Sequence, residues 1–265
     1  MRLNEFYEIA ERYAPKALSD EYCERYGAYD NSGVLIDTGE EIRGALFSLD
    51  FSLAAIERAI AVGANLIVTH HPAIYGKISD IVISDFQPLG KKLVKCLKNG
   101  ISVISMHLNL DGAEGGIDES LMQGVCGGKG SNVAVMQPLS KGGYGRAYDI
   151  EERTVNALVS QMKNTFSTER LAVYGDREKR VRRVASFCGG GADEAAVEFA
   201  VKEGAQAMIS SDFKHHILTL AWESGLSVIA LTHYASERYG FEKYYEKISQ
   251  SVALPCVYHT DRELL

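Results

Sequence analysis

The chain runs twice through one arrangement of apolar and polar positions. Ile42 to Ser48 and Val181 to Phe187 are apolar-rich runs of strand length, each followed by a small-residue turn and a segment with helical spacing. The first helix is expected over Ser52 to Val62, with Ala54, Ala55, Ile56, Ala59 and Ile60 turned inward. Its counterpart is expected over Asp193 to Glu203, on Ala195, Ala196, Val197, Phe199, Ala200 and Val201. Both run into glycine, in Gly63-Ala64-Asn65 and Gly204-Ala205-Gln206, where a helix closes in the left-handed conformation. Apolar strands follow at Leu66 to Val68 and Ala207 to Ile209. Helices then come at Gln87 to Lys98 and His216 to Glu223, and Gly100 and Gly225 open a third strand in each copy.

Strand-helix-strand-helix-strand, twice over, predicts an α/β fold of two similar lobes with largely parallel sheets covered by helices. The lobes are expected at 1–130 and 131–265, an internal duplication packed as one compact unit. Between the copies, Thr154 to Phe166 reads as a helix, Leu171 to Tyr174 as a strand and Gly142 to Arg146 as a turn. The N-terminal forty residues read as one helix, Leu3 to Tyr13, and then an irregular polar stretch through Gly33.

The strand ends carry the chemistry. The strand opened by Gly100 delivers His107, with Asp111 four positions on, and the strand opened by Gly225 delivers His233, with Glu237 four positions on. A third strand end holds His70-His71-Pro72. Ligands on parallel sheets gather at the carboxyl ends of strands. An imidazole and an acid four apart share one face of a helical turn. Adjacent histidines in a strand point to opposite faces, so His70 and His71 converge only if the backbone turns, as Pro72 permits.

Three imidazoles (His70, His71, His233) with Asp111 and Glu237 are too many ligands for one open catalytic ion, and they suit two divalent ions. Zinc, iron, manganese and nickel all take such ligands. The surplus positive charge of two such ions favours an anionic small-molecule substrate. His107 is left three roles: ligand, orienting group for Asp111, or proton shuttle. His215 and His216 are placed either along the cleft or on the surface. Cys188-Gly189-Gly190-Gly191 lacks a dinucleotide or P-loop pattern and reads as a tight turn.

Composition narrows the classes. The 265 residues carry 28 Lys and Arg against 35 Asp and Glu, a formal net charge of -7, which counts against direct nucleic-acid binding or an anionic membrane surface. Five cysteines include no Cys-x-x-Cys pair and read as buried structural thiols rather than a disulfide framework or thiolate site. No membrane span or signal peptide is expected, and the cytoplasm is the default location.

The motifs resemble one family. They are Asp30-Asn31-Ser32-Gly33, the run from Gly63 to Pro72, His107-Leu108-Asn109-Leu110-Asp111, Gly143-Tyr144-Gly145-Arg146, Cys188-Gly189-Gly190, Asp212 to His216, and His233-Tyr234-Ala235-Ser236-Glu237. In this order they resemble the GTP cyclohydrolase 1 type 2-like, or Nif-three-like, proteins. The resemblance implies a dinuclear metal site in an inter-lobe cleft, a ring-shaped homohexamer, and His70, His71, Asp111, His233 and Glu237 as the metal ligands. It also implies ring opening of GTP with loss of formate, for which His107 or His215 would shuttle protons. Tyr29 stands where many relatives have tryptophan, and the chain is too short for their full inserted mid-chain domain. The expected activity is a metal-dependent hydrolase acting on a nucleotide or other anionic small molecule. The alternative is a non-catalytic metal-binding or protein-interaction protein, with a protein-mediated role in transcription as a weaker third.

Overall fold

Apolar runs and capped helices assemble two sheets in the computed structural model, which describes residues 1–77, 83–84, 86–128 and 130–264. The chain forms two units, one of Met1–Leu110 with Phe241–Leu264 and one of Asp111–Gly240. This differs from a single cut at residue 130, because the chain leaves the first unit and later returns to it.

The first unit contains α1 (Leu3–Glu11), α2 (Lys16–Tyr26), β1 (Gly33–Ile36), β2 (Ala45–Ser48), α3 (Leu53–Val62), β3 (Leu66–Thr69), α4 (Pro88–Lys98), β4 (Ser102–Ser105) and, from the C-terminal segment, β11 (Cys256–His259). Its sheet runs β1-β4-β3-β2-β11. The four strands from β4 to β11 are parallel, and β1 lies antiparallel on β4. Ser48 pairs with Thr69 and Thr69 with Ser105, so β2, β3 and β4 end level with one another. On one side Leu46, Ile56, Ile67, Leu93 and Val103 form a buried core. Phe6, Phe47, Phe241 and Tyr244 form a separate aromatic group. Each fully buried side chain of this kind contributes about 1.5–3 kcal/mol.

In the second unit lie α6 (Ile117–Cys126), β5 (Ser131–Pro138), β6 (Gly143–Thr154), α7 (Val155–Thr165), β7 (Leu171–Tyr174), β8 (Arg180–Ser186), α8 (Glu194–Lys202), β9 (Ala207–Ser210), α9 (His215–Glu223) and β10 (Ser227–Leu231). Helix α5 (Leu108–Gly112) leads out of the first unit, and α10 (His233–Ser251) leads back into it. The second sheet runs β5-β6-β8-β9-β10-β7. Its parallel part is only β8-β9-β10; β7, β6 and β5 are added antiparallel, so this sheet is mixed rather than largely parallel.

The duplication is visible in topology: β1-β4-β3-β2 in one sheet matches β7-β10-β9-β8 in the other. Local chemistry repeats as well. Ser52 caps α3 by accepting from the Ala55 N–H at 3.0 Å, and Asp193 caps α8 by accepting from the Ala196 N–H at 2.8 Å. The segment read as a turn at Gly142 to Arg146 instead begins the long strand β6. The irregular N-terminal stretch instead contains α2, whose buried residues are only Leu18 and Ser19, too few to mark an apolar face. Among the described residues no helix is long and apolar enough to cross a membrane.

Candidate metal centre

The level ends of β2, β3 and β4 deliver three histidines and an aspartate to one edge of the first sheet. Just past β3, the N–H groups of both His70 and His71 donate to the carbonyl of Leu49, at 3.2 and 2.9 Å. The backbone therefore turns there, and the consecutive imidazoles stay together with ring centroids 4.9 Å apart. His107, just past β4, lies 5.3 Å from the His70 ring and 6.0 Å from that of His71. Phe241 packs 6.1 Å from His70. His70 is fully buried and His71 nearly so.

Each ring is fixed through Nδ1. His70 donates from Nδ1 to the Met106 carbonyl at 2.8 Å, His71 pairs with Asp50 Oδ1 at 2.7 Å, and His107 with Asp30 Oδ1 at 2.8 Å. A carbonyl or carboxylate can only accept, so Nδ1 carries the proton and the lone pair of the neutral ring falls on Nε2. This is how outer groups orient imidazoles around a metal. Asp30 is itself held by the hydroxyls of Ser19 and Ser32, at 2.6 and 2.5 Å. Burial pushes its carboxyl up, but His107 and these hydroxyls outweigh that and hold it well below the usual carboxylate range.

The second unit holds a carboxylate group of its own. Asp111 and Glu237 are buried, at 6% and 3% exposure, and Cys188 is buried between strand β8 and helix α8. Ligand atoms of these three residues all lie within 4.8 Å of one another. Cys188 donates from Sγ to Asp111 Oδ1 at 3.4 Å. Burial first, then the charges of Asp111, Asp118 and Glu237, push its thiol well above its ordinary range. His233 opens α10 with Glu237 one turn on, and Nε2 to Oε1 is 3.1 Å. The other nitrogen, Nδ1, pairs with Asp212 Oδ2 at 2.5 Å, as in the first unit.

Gly189 makes room for Glu237. Its φ is +55°, and a Cβ there would overlap Glu237 Oε1 and approach His233 Nε2 to 3.4 Å. The carbonyl of Gly189 accepts from Ser211 Oγ at 2.5 Å, and its N–H donates to Ser236 Oγ at 3.1 Å. Behind this loop, fully buried Asp118 accepts from the N–H groups of Gly145 and Cys188 at 3.0 and 3.3 Å and pairs with the buried Arg146 guanidinium. Burial pushes Asp118 up to about 6 against the pull of Arg146.

Within the first unit, His70, His71 and His107 come together. Within the second, Asp111, His233 and Glu237 lie in one neighbourhood. His216 stands apart, in an exposed pair with Glu194 at 3.1 Å, and His215 is exposed at the start of α9. Asp30, Asp50, Asp212 and Cys188 escaped the sequence reading as site residues. The repeat offered a signal for two of them: Ser48-Leu49-Asp50 and Ser186-Phe187-Cys188 end equivalent strands.

The donor set fits divalent metal: imidazole Nε2, carboxylate oxygen and thiol sulfur are ligands for borderline ions. The fold and these clusters define a two-unit α/β protein with groups of His, Asp, Glu and Cys at strand ends that could hold a metal ion. The chain belongs to the Duf34/NIF3 (NGG1p interacting factor 3) family, whose profile it matches over residues 1–260. It is 30% identical to a Clostridium perfringens protein named GTP cyclohydrolase 1 type 2 homolog, over 94% of this chain and 92% of that one. A Methanocaldococcus jannaschii protein of the same name is 28% identical, over 97% and 98% of the two chains. Among solved structures, the hypothetical protein SA1388 of Staphylococcus aureus superposes with a TM-score of 0.81 at 20% identity, covering 98% of this chain and 96% of that one.

Proposed function

We propose that the histidine and carboxylate clusters combine into one centre for two divalent ions, and that the protein is a hydrolase acting on a nucleotide or other anionic small molecule. The observation that carries this is the uniform setting of His70, His71, His107 and His233, each with Nδ1 occupied by a carbonyl or carboxylate. Two stretches of helix support the joining of the clusters. His107 immediately precedes α5 and Asp111 follows four residues on within it, and Glu237 is one turn before Phe241, which packs on His70. The ligands are His70, His71, Asp111, His233 and Glu237.

Bound there, such ions polarise a phosphoryl or carbonyl oxygen and activate water. The chain supplies the rest. Asp50 and Asp212 keep His71 and His233 in the ligating tautomer. Asp30 stabilises a positive His107, so that Nε2 of His107 holds or passes a proton beside the ligands. The relatives' names make ring opening of a purine nucleotide the first activity to assay. A ring-shaped homohexamer in the cytoplasm is part of the same proposal.

The test is turnover of GTP, other nucleotides and phosphoesters by protein purified without chelator and loaded with zinc, iron, manganese or nickel. Turnover is expected with at least one ion and is lost in Glu237→Ala. A metal-loaded protein that turns over none of them refutes the hydrolase reading and leaves a non-catalytic metal-binding protein. Sedimentation at six times the chain mass is expected, and a stable monomer refutes the ring.

A further inference from the structure

We propose that Cys188 Sγ is a direct ligand of the ion held by Asp111 and Glu237, and that it makes this position select a thiophilic divalent ion over magnesium or manganese. The inference rests on the metal-centre reading above and adds a donor of a different chemical kind to it.

Three observations carry it. The first is distance. Zinc holds sulfur at about 2.3 Å and carboxylate oxygen at about 2.0–2.2 Å, so two tetrahedral ligands of these kinds stand about 3.5 Å apart. Cys188 Sγ and Asp111 Oδ1 are 3.4 Å apart, with a Glu237 oxygen inside the same 4.8 Å group. The second is the surroundings. Cys96, an ordinary buried thiol, sits in the apolar core with Ile56, Leu93 and Ile101, as structural cysteines do. Cys188 instead faces two carboxylates at 1% exposure and donates to one of them, and a cation would draw all three donors together. The third is position in the repeat. Cys188 occupies the strand end that in the first copy carries Asp50, which holds the ring of His71.

Ligation involves no redox change. The cation displaces the thiol proton to solvent, an S–metal bond replaces the S–H bond, and the Asp111 oxygen that accepted from the thiol turns to the ion. Soft thiolate then favours zinc, iron(II) or cobalt(II), whereas carboxylates alone also suit manganese and magnesium.

The test is the electronic spectrum of the cobalt(II)-loaded full chain, with bound cobalt counted by elemental analysis. Wild type is expected to show an intense near-ultraviolet sulfur-to-cobalt charge-transfer band. The band is expected to vanish in Cys188→Ser with cobalt still bound and to persist in Cys96→Ser. Preference for zinc over manganese in competition is expected to fall about 10–100-fold in Cys188→Ser, the range for losing a group that tunes a site. Cobalt bound to wild type without the band overturns the ligand assignment and leaves the metal centre standing. A band that survives Cys188→Ser overturns it too. A wild-type chain that retains no cobalt overturns both readings. Should Cys188→Ser fail to fold, the band is expected to persist in the chain with Cys23, Cys96, Cys126 and Cys256 changed to serine, and its absence there with cobalt bound overturns the assignment.

Discussion

Replacing Gly189 with alanine perturbs the carboxylate cluster at its tightest point. The residue has φ +55°, where an L side chain costs about 1–2 kcal/mol through contact of Cβ with the following carbonyl. A second cost is specific to this place. The new methyl would overlap Glu237 Oε1, and the carboxylate or the 188–190 loop must move. Gly63 separates the two effects: its φ is +73°, it closes α3, and nothing lies within 4 Å of a Cβ built there. Urea denaturation should show Gly63→Ala losing about 1–2 kcal/mol, with metal affinity unchanged. Gly189→Ala should lose at least as much stability, and its affinity for divalent ion, titrated against a competing chelator, should fall by about tenfold or more. If the two variants bind metal equally well, Glu237 is not a ligand held in place by Gly189, and that part of the argument fails.

Three further outcomes follow from the same geometry. Asp50→Ala should weaken metal binding about 10–100-fold while leaving the far-ultraviolet spectrum unchanged, because it removes the acceptor that orients His71; unchanged affinity would show that the ring needs no such support. Asp118→Asn should destabilise the chain by about 3–5 kcal/mol in urea, since it strands the buried Arg146 guanidinium; a loss below about 1 kcal/mol would mean that water reaches the pair. Asp30 is held below its unfolded carboxyl value, so its contribution is complete above that value and disappears as pH falls through the lower folded one. The stability gap between wild type and Asp30→Asn should therefore shrink as pH falls below about 4, and a gap that widens over that acid range would reverse the assigned sign.

What could be read in the sequence was what short-range pattern determines. The helices at Leu53–Val62 and Glu194–Lys202 announced themselves through apolar spacing and a closing glycine. The strand ends bearing His70, His107 and His233 were legible because short apolar runs deliver them. What escaped was set by partners distant in sequence. The strand β6 begins in glycines that looked like a turn, and its place depends on pairing with β8, thirty-odd residues on. Gly240 lies inside α10, where a Cβ would come within 2.7 Å of the Ile117 backbone, so its role is set by a neighbour far away in sequence. Asp30 and Asp50 carry no local signal, since an acid beside a strand is ordinary until a histidine 77 or 21 residues away is seen to bond it. Nothing local in sequence separates Cys188 from the other cysteines as more than a buried structural thiol; its carboxylate neighbours do.

The most direct test is anomalous diffraction from crystals of the zinc-loaded chain. Two ions per chain should appear, about 3.5–4 Å apart, within bonding distance of His70, His71, Asp111, His233 and Glu237. No bound zinc, or zinc lodged away from these side chains, would contradict the assignment on which the proposed chemistry depends.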